Sequence, residues 1–396
     1  MKFQGFLRPD GRAGARNYVV IIPAINCANE PAYQLSQLVP GVVPLCHTYM
    51  CPYEQRDREK AVRTLIGIGK NPNVYAVLVL GLGCEPVPAE EIAEEIRKSG
   101  KPVLSLSVAA IGYDAVMEQG KVFLSKCVEE ADKLSRVPCD VSDIIFGIKC
   151  GGSGALSIIS NNSAVGRAAD ILVSEGGTVI FSETPEILGM EKMLARRAVN
   201  EEVAQKILSC AERLKDQIRY HGVDLLGSEP NKGNMASGLS TVEEKSLGAI
   251  AKGGTTPLVD FLEYGEAPVK KGLHFMDCES AGDPVYVGEA AAGAQLSALS
   301  LAGGMPAYIR GLASCGGAGL QTLPVFKVLG SNECPSEEKF FDVCVGGIID
   351  GTESIDEAGE RVFSKLLNVV SGEVTVTEKL NKYYAPIAFY RNGLIV

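Results

Sequence analysis

Apolar positions along this chain arrive in short bursts, and the spacing inside each burst separates strand from helix. Residues 18–26 (YVVIIPAIN) and 74–82 (VYAVLVLGL) are Val- and Ile-rich runs. They are too short for helices, and their lack of alternation suits strands covered on both faces. Residues 41–45 and 101–105 are weaker strand candidates. Between them, residues 56–69 and 89–100 predict helices. Pro88 stands just ahead of the second and Gly100 closes it, the usual asymmetry of helix ends. Residues 112–136 predict a longer amphipathic helix. Strands alternating with helices imply a parallel sheet with both faces covered.

A polar segment at 135–141 (SRVPCDV) interrupts the pattern. It divides the chain into an N-terminal α/β domain, residues 1–137, and a C-terminal α/β domain, residues 138–396. In the second part, strands are expected at 143–149, 178–181, 272–277, 307–310 and 340–345. Helices are expected at 163–174, 200–220 and 355–370. A Gly-rich loop fills 228–238. Ser240 or Thr241 followed by Glu243 and Glu244 is a capping box opening a helix to about residue 251. The fold class expected is α/β: two domains with largely parallel sheets and the active site between them, at strand carboxyl ends. A length of 396 residues, too great for one compact core, agrees with two domains.

Charge narrows the function. There are 48 acidic and 38 basic residues, for a net charge of −10, and no block of Lys or Arg. Nucleic acid is therefore not an expected partner. Residues 1–10 are polar and mixed, and apolar runs such as 76–82 are too short to span a bilayer. A cytoplasmic location without membrane contact is expected. The 12 cysteines are then not disulfides by default.

Several cysteines share a setting. Cys27 (PAINCANE), Cys84 (LGLGCEP) and Cys150 (GIKCGGSG) each end an apolar strand, and Cys315 (ASCGGAG) echoes the third. In open α/β sheets ligands bind beyond the carboxyl ends of strands, so these thiols are candidates for convergence there. His47 and Cys51 in HTYMC follow another candidate strand. Thiolate and imidazole suit iron or zinc. Small buried hydrophobes are the alternative reading, because free cysteine is among the most buried residues. Gly151 and Gly152 after Cys150 offer backbone N–H groups to a carboxylate, or merely a turn. Arg8, Arg12 and Arg16 in LRPDGRAGARNY are either carboxylate clamps or a solvated loop. Glu183 and Glu186 in FSETPE again follow a strand, where acidic residues at a helix start give the same letters.

These residues lie in segments that together resemble a known family. RPDGRAGARNY, HTYMC, NPNVYAVLVLGLGCE, IKCGGSGALSIISNNSAVGRAAD, IFSETPEILG and GLSTVEEKSLGAIAKGG occur in the order found in altronate/galactarate dehydratases, spanning residues 5–372. The resemblance implies an iron-dependent lyase that dehydrates a sugar acid, such as altronate or galactarate, to a 2-keto-3-deoxy acid. It marks Cys27, His47, Cys51, Cys84, Glu85, Cys150, Glu183, Glu186 and Lys245 as family-motif residues. The roles expected are metal ligation by Cys27, Cys51, Cys84 and Cys150 and catalysis by His47, Glu183 and Lys245. Substrate binding falls to Arg8, Arg12, Arg16, Gly151, Gly152 and Glu186. The cofactor expected is iron, as a ferrous ion or an iron–sulfur cluster.

Full-length family members begin with a small histidine-bearing domain, and this chain starts directly at RPDGR. That implies a separate small subunit completing the site, as in sulfolactate sulfo-lyase, whose large subunit has this form. Release of sulfite is thus an alternative to loss of water. Where the family carries a TTGRG-like segment, the stretch 311–329 departs and contains LASCGGAGLQTLPVFKV, so the small anionic hydroxy acid is not named. A non-catalytic sugar-acid-binding or scaffold protein and a zinc-stabilised structural protein are the readings from other classes. An oligomer is expected.

Overall fold

A computed structural model describes residues 1–226, 229–278, 282–314, 319–380 and 386–392. Cys315 with its glycines, and Ser228, lie outside the described residues. Fourteen strands run through the described chain: β1 Lys2–Leu7, β2 Ala13–Gly14, β3 Tyr18–Pro23, β4 Val42–Pro44, β5 Val74–Gly81, β6 Val103–Ser107, β7 Val137–Asp140, β8 Ile145–Gly151, β9 Thr178–Phe181, β10 Leu258–Leu262, β11 Gly272–Met276, β12 Leu296–Leu301, β13 Val325–Leu329 and β14 Val343–Cys344. They form two parallel sheets, β4-β3-β5-β6 and β10-β11-β9-β8-β12-β13-β14, and one small antiparallel sheet, β2-β1-β7.

The N-terminal parallel sheet shows why its strands read as continuous apolar runs. Val19 and Ile21 of β3, with Ala76, Leu78 and Leu80 of β5, face the helices Asn29–Leu38 and Tyr113–Asp132. Val20, Ile22, Val77 and Val79 face the opposite way, onto the helices Gln55–Lys70 and Ala89–Arg97. Successive side chains alternate between faces, and both faces are covered. The seven-stranded sheet is buried likewise against the helices Asn161–Ser174, Glu201–His221 and Ile355–Val370.

Two expectations needed revision. Residues 307–310 lie inside the helix Pro306–Ser314 rather than a strand. Pro306 at its first position presets the helical φ, and Ile309, Leu312 and Ala313 follow at helical spacing. Residues 340–345 shrink to the two-residue strand β14 behind the short 3-10 helix Pro335–Phe340.

Strand order locates the ligand crevice. The chain leaves β8 for β9 on one side and returns as β12 on the other side of β8. The order therefore reverses between β8 and β12, and the cleft beyond their carboxyl ends is where open α/β sheets take ligands. Cys150 stands at that end of β8, paired with Ser300 of β12.

Candidate active site at the carboxyl end of β8

Strand β8 is buried along most of its length, yet it carries Lys149 beside Cys150 at its end. Strand β9 delivers Glu183 just past Phe181. Glu183 has a φ of 83°, the positive-φ non-glycine residue among those described. A non-glycine residue held in that region stores strain of the kind concentrated at functional sites. The short 3-10 helix Thr184–Ile187 then turns Glu186 inward. The helix Val242–Ile250 opens on Thr241, whose side chain accepts from Glu244 N at 3.1 Å, while Glu244 accepts from Ser240 N at 2.8 Å. Capping accounts for Glu244 and leaves Lys245 buried on the inner face. Two turns later, in the 3-10 turn Ala251–Gly253, Lys252 lies on that same face.

These segments converge on one buried cluster. Cys150 Sγ lies 2.7 Å from Glu186 Oε2 and 3.6 Å from Glu183 Oε2. Cys150 N donates to Glu183 Oε2 at 3.0 Å. Lys252 Nζ donates to all three groups: to Glu183 Oε2 at 2.5 Å, Glu186 Oε2 at 3.0 Å and Cys150 Sγ at 3.0 Å. Lys149 Nζ lies 3.4 Å from Glu183 Oε1. Lys245 Nζ lies 3.2 Å from Glu186 Oε1 and pairs with Glu229 on its other side.

Three ammonium groups thus meet the three carboxylates of Glu183, Glu186 and Glu229. Buried charges persist only when paired and hydrogen-bonded in this way. Burial by itself disfavours the charge on Lys252, but the carboxylates of Glu183 and Glu186 outweigh it and push its pKa well up. Lys149 is raised for the same reason, chiefly by Glu183. Burial also works against an ionised Glu186, yet Lys252 and then Lys245 hold its pKa well below the usual carboxylate range. Cys150 is pushed far up, first by burial and then by Glu186, so it stays a thiol and donates toward Glu186.

Lys245 also lines a cavity of about 210 Å³, together with Ser153, Gly154, Ser157, Asn162, Glu244 and Gly248. This cavity is small and lies at the carboxyl end of β8, beside the charged cluster. Gly151 ends β8, and Gly152, at φ 55°, carries the chain round the turn toward the cavity. A side chain on Gly152 would meet Leu312 at 2.8 Å.

Cys150, Glu183 and Glu186 offer ligand atoms within 4.8 Å of one another, close enough to hold one metal ion. A thiolate with two carboxylates suits a borderline divalent ion, ferrous iron included. Among the described residues no other three His, Cys, Asp or Glu offer ligand atoms this close together. Cys27 and Cys84 are exposed beyond β3 and β5, and Cys51 is half-buried. Glu85 accepts from Leu82 N and Gly83 N and closes the turn after β5.

The other expected residues fall elsewhere. His47 is buried, with Nε2 hydrogen-bonded to Pro23 O at 2.7 Å and Nδ1 accepting from Tyr49 N at 3.2 Å. Burial lowers its pKa to about 4, against a smaller rise from Pro23. Both ring nitrogens of His47 are thus engaged by backbone groups. The arginines lie at the amino ends of the strands, away from the crevice. Arg8 donates to Pro72 O, Asn17 and Arg16 O. Arg12 pairs with Asp10 and Lys70 O, and Arg16 with Glu378, Val369 O and Glu373 O. They clamp the chain's own carbonyls and carboxylates.

Lys149 and Lys252 had not been singled out from the sequence. The signals were present: a lysine in a strand covered on both faces, and a second lysine seven residues after Lys245 on one helical face.

Comparison with known proteins identifies the family. Residues 5–132 match the second domain of the family described as D-galactarate dehydratase/altronate hydrolase. Residues 141–393 match the C-terminal domain described as D-galactarate/altronate dehydratase. The chain is 34% identical over 381 residues to the (2R)-sulfolactate sulfo-lyase subunit beta of Chromohalobacter salexigens, covering 96% of this chain and 95% of that one. It is 34% identical to the altronate dehydratase of Bacillus subtilis, covering 77% of this chain and 63% of that protein. Identity to the galactarate dehydratase (L-threo-forming) of Escherichia coli is 30%, covering 94% and 73%. Both halves of the molecule, including the segments that build the charged cluster, thus place the chain in the D-galactarate/altronate dehydratase family of lyases.

Proposed function

We propose that this lyase performs a β-elimination on a 2-hydroxy acid, and that the substrate is a sugar acid of the altronate or galactarate kind. The observation that carries the proposal is Lys245, which lines the small cavity and reaches the buried cluster through Glu186. The α-proton leaves C2 and the hydroxyl leaves C3 as water. The enol that remains tautomerises to a 2-keto-3-deoxy acid.

Lys245 is the group placed to exchange the α-proton. Glu186 and Glu229 flank its Nζ and fix where it stands in the cavity wall. Lys149 and Lys252 offset the buried carboxylates of Glu183 and Glu186, so the site does not repel the negative charge that grows on the substrate carboxylate as C–H breaks. Cys150, Glu183 and Glu186 would hold a ferrous ion. When bound, such an ion supplies Lewis acidity toward carboxylate and hydroxyl oxygens. The carboxylate partners of Cys150 favour a single ion over an iron–sulfur cluster.

Elimination of sulfite from a 3-sulfo-2-hydroxy acid is the second reading. It is favoured by the near-complete mutual coverage with the sulfo-lyase subunit. That relative is named as a subunit, which also supports a separate small partner completing the site. Both readings share the α-proton step and differ in the leaving group. Anaerobic incubation with altronate, galactarate and (2R)-sulfolactate, read for 2-keto acid and for sulfite, separates them. Keto acid from a sugar acid without sulfite supports the first. Sulfite from sulfolactate alone overturns it in favour of the second. Full turnover by the purified chain alone would remove the need for a partner.

A further inference from the structure

The three candidate metal ligands already share a cation, and it belongs to the protein. Lys252 Nζ stands within 3.0 Å of Cys150 Sγ, Glu183 Oε2 and Glu186 Oε2, the same atoms that would hold an ion. The ammonium therefore occupies the position the three donors share. The cluster needs no further charge in this state, because Lys149, Lys245 and Lys252 balance Glu183, Glu186 and Glu229. A divalent ion added beside Lys252 would leave buried positive charge without a partner, which is strongly unfavourable.

The backbone beneath Lys252 has little room to retreat. A side chain on Gly253 would meet Phe181 at 2.9 Å, and one on Gly254 would meet Asp170 at 2.3 Å and Gly166 O at 2.5 Å. With the turn wedged, the side chain is the part free to move.

We infer that Lys252 is a resident counter-cation of the Cys150–Glu183–Glu186 triad, and that a divalent ion enters only by expelling its ammonium from the triad. The exchange is close to electroneutral: the ion brings two charges, Lys252 withdraws one, and the thiol proton goes to solvent as the sulfur–metal bond forms. The inference holds whether the reaction releases water or sulfite, since it concerns metal entry and not turnover. Lys252 thereby sets a threshold of metal affinity.

The test is an anaerobic Co²⁺ titration of the full chain and of Lys252→Met, followed by the cobalt–thiolate charge-transfer band. Cys150→Ser in each background identifies the part of the band that belongs to this site, because the thiols of Cys27 and Cys84 are exposed and open to cobalt as well. In parallel, acetylation of wild-type lysines is read by mass spectrometry with and without Co²⁺. The expected result is a Cys150-dependent band that forms about tenfold or more tighter in Lys252→Met. Lys252, protected from acetylation in the free protein, is expected to become modified as the wild-type band grows. Equal affinity in the two proteins, a full wild-type band with Lys252 still protected, or no Cys150-dependent band in either protein overturns the inference. If Lys252→Met does not fold, the wild-type labelling decides alone.

Discussion

Lys245, Glu186 and Cys150 are the residues on which the chemistry turns, and each has its own expected signature. Lys245→Met should lower kcat by about 10²–10⁴-fold, the usual worth of a positioned proton-transfer group, while circular dichroism stays unchanged. An undiminished kcat would remove Lys245 from the mechanism. His47 offers a pH test. Its folded pKa of about 4 lies below the usual 6.5, so the unfolded chain binds the proton more readily between those values. Stability linked to His47 is complete above pH 6.5 and is lost as pH falls toward 4. The loss is about 3 kcal/mol over that window, at about 1.4 kcal/mol per pKa unit. The stability difference between wild type and His47→Gln, from urea melts at several pH values, should shrink by that order across the window. A constant difference would mean that His47 is not buried neutral. Family-motif residues made Cys150, Glu183, Glu186 and Lys245 legible in the sequence. Lys252 carried only the weaker signal of its seven-residue spacing from Lys245, and the fold shows that this face turns inward to the carboxylates.

At the scale of elements, the two parallel sheets are joined by close backbone packing. Helix Gln55–Lys70 lies against helix Pro284–Ala291, where a side chain on Gly67 would meet Ala291 O at 2.4 Å. Asn71 donates to Ala290 O and Ala294 O, and Asn73 to Gln295 O and Thr322 O. Gly67→Ala should therefore destabilise by about 1–3 kcal/mol through overpacking, seen as a lower urea midpoint. An unchanged midpoint would mean that the two helices separate freely. Strongly periodic elements were readable. Thr178–Phe181 and Ile355–Val370 match their expected bounds, the latter opened by the Ser354 capping box. The helix Pro306–Ser314 reads as a strand at 307–310 because four residues, AYIR, carry too little periodicity to oppose strand propensity. The clamps made by Arg8, Arg12 and Arg16 join segments distant in sequence, so local pattern could not reveal them.

For the whole molecule, strand order matters more than any single motif. Both parallel sheets reverse direction next to a cysteine-bearing strand end, between β3 and β5 and between β8 and β12. The second crevice alone gathers the buried acid–lysine–thiol cluster and the small cavity. Among the described residues no helix is long and apolar enough to cross a membrane. The alternation of strand and helix made the two α/β layers legible, whereas the order of the strands arises from long-range packing that no local pattern encodes. The most direct test of the account is 2-keto acid formation from the candidate hydroxy acids by wild type, Cys150→Ser and Lys245→Met, prepared anaerobically with ferrous iron. The account predicts keto acid from wild type and turnover lowered by at least about 10²-fold in both variants. Wild-type rates in both variants would contradict it and move the chemistry away from the carboxyl end of β8.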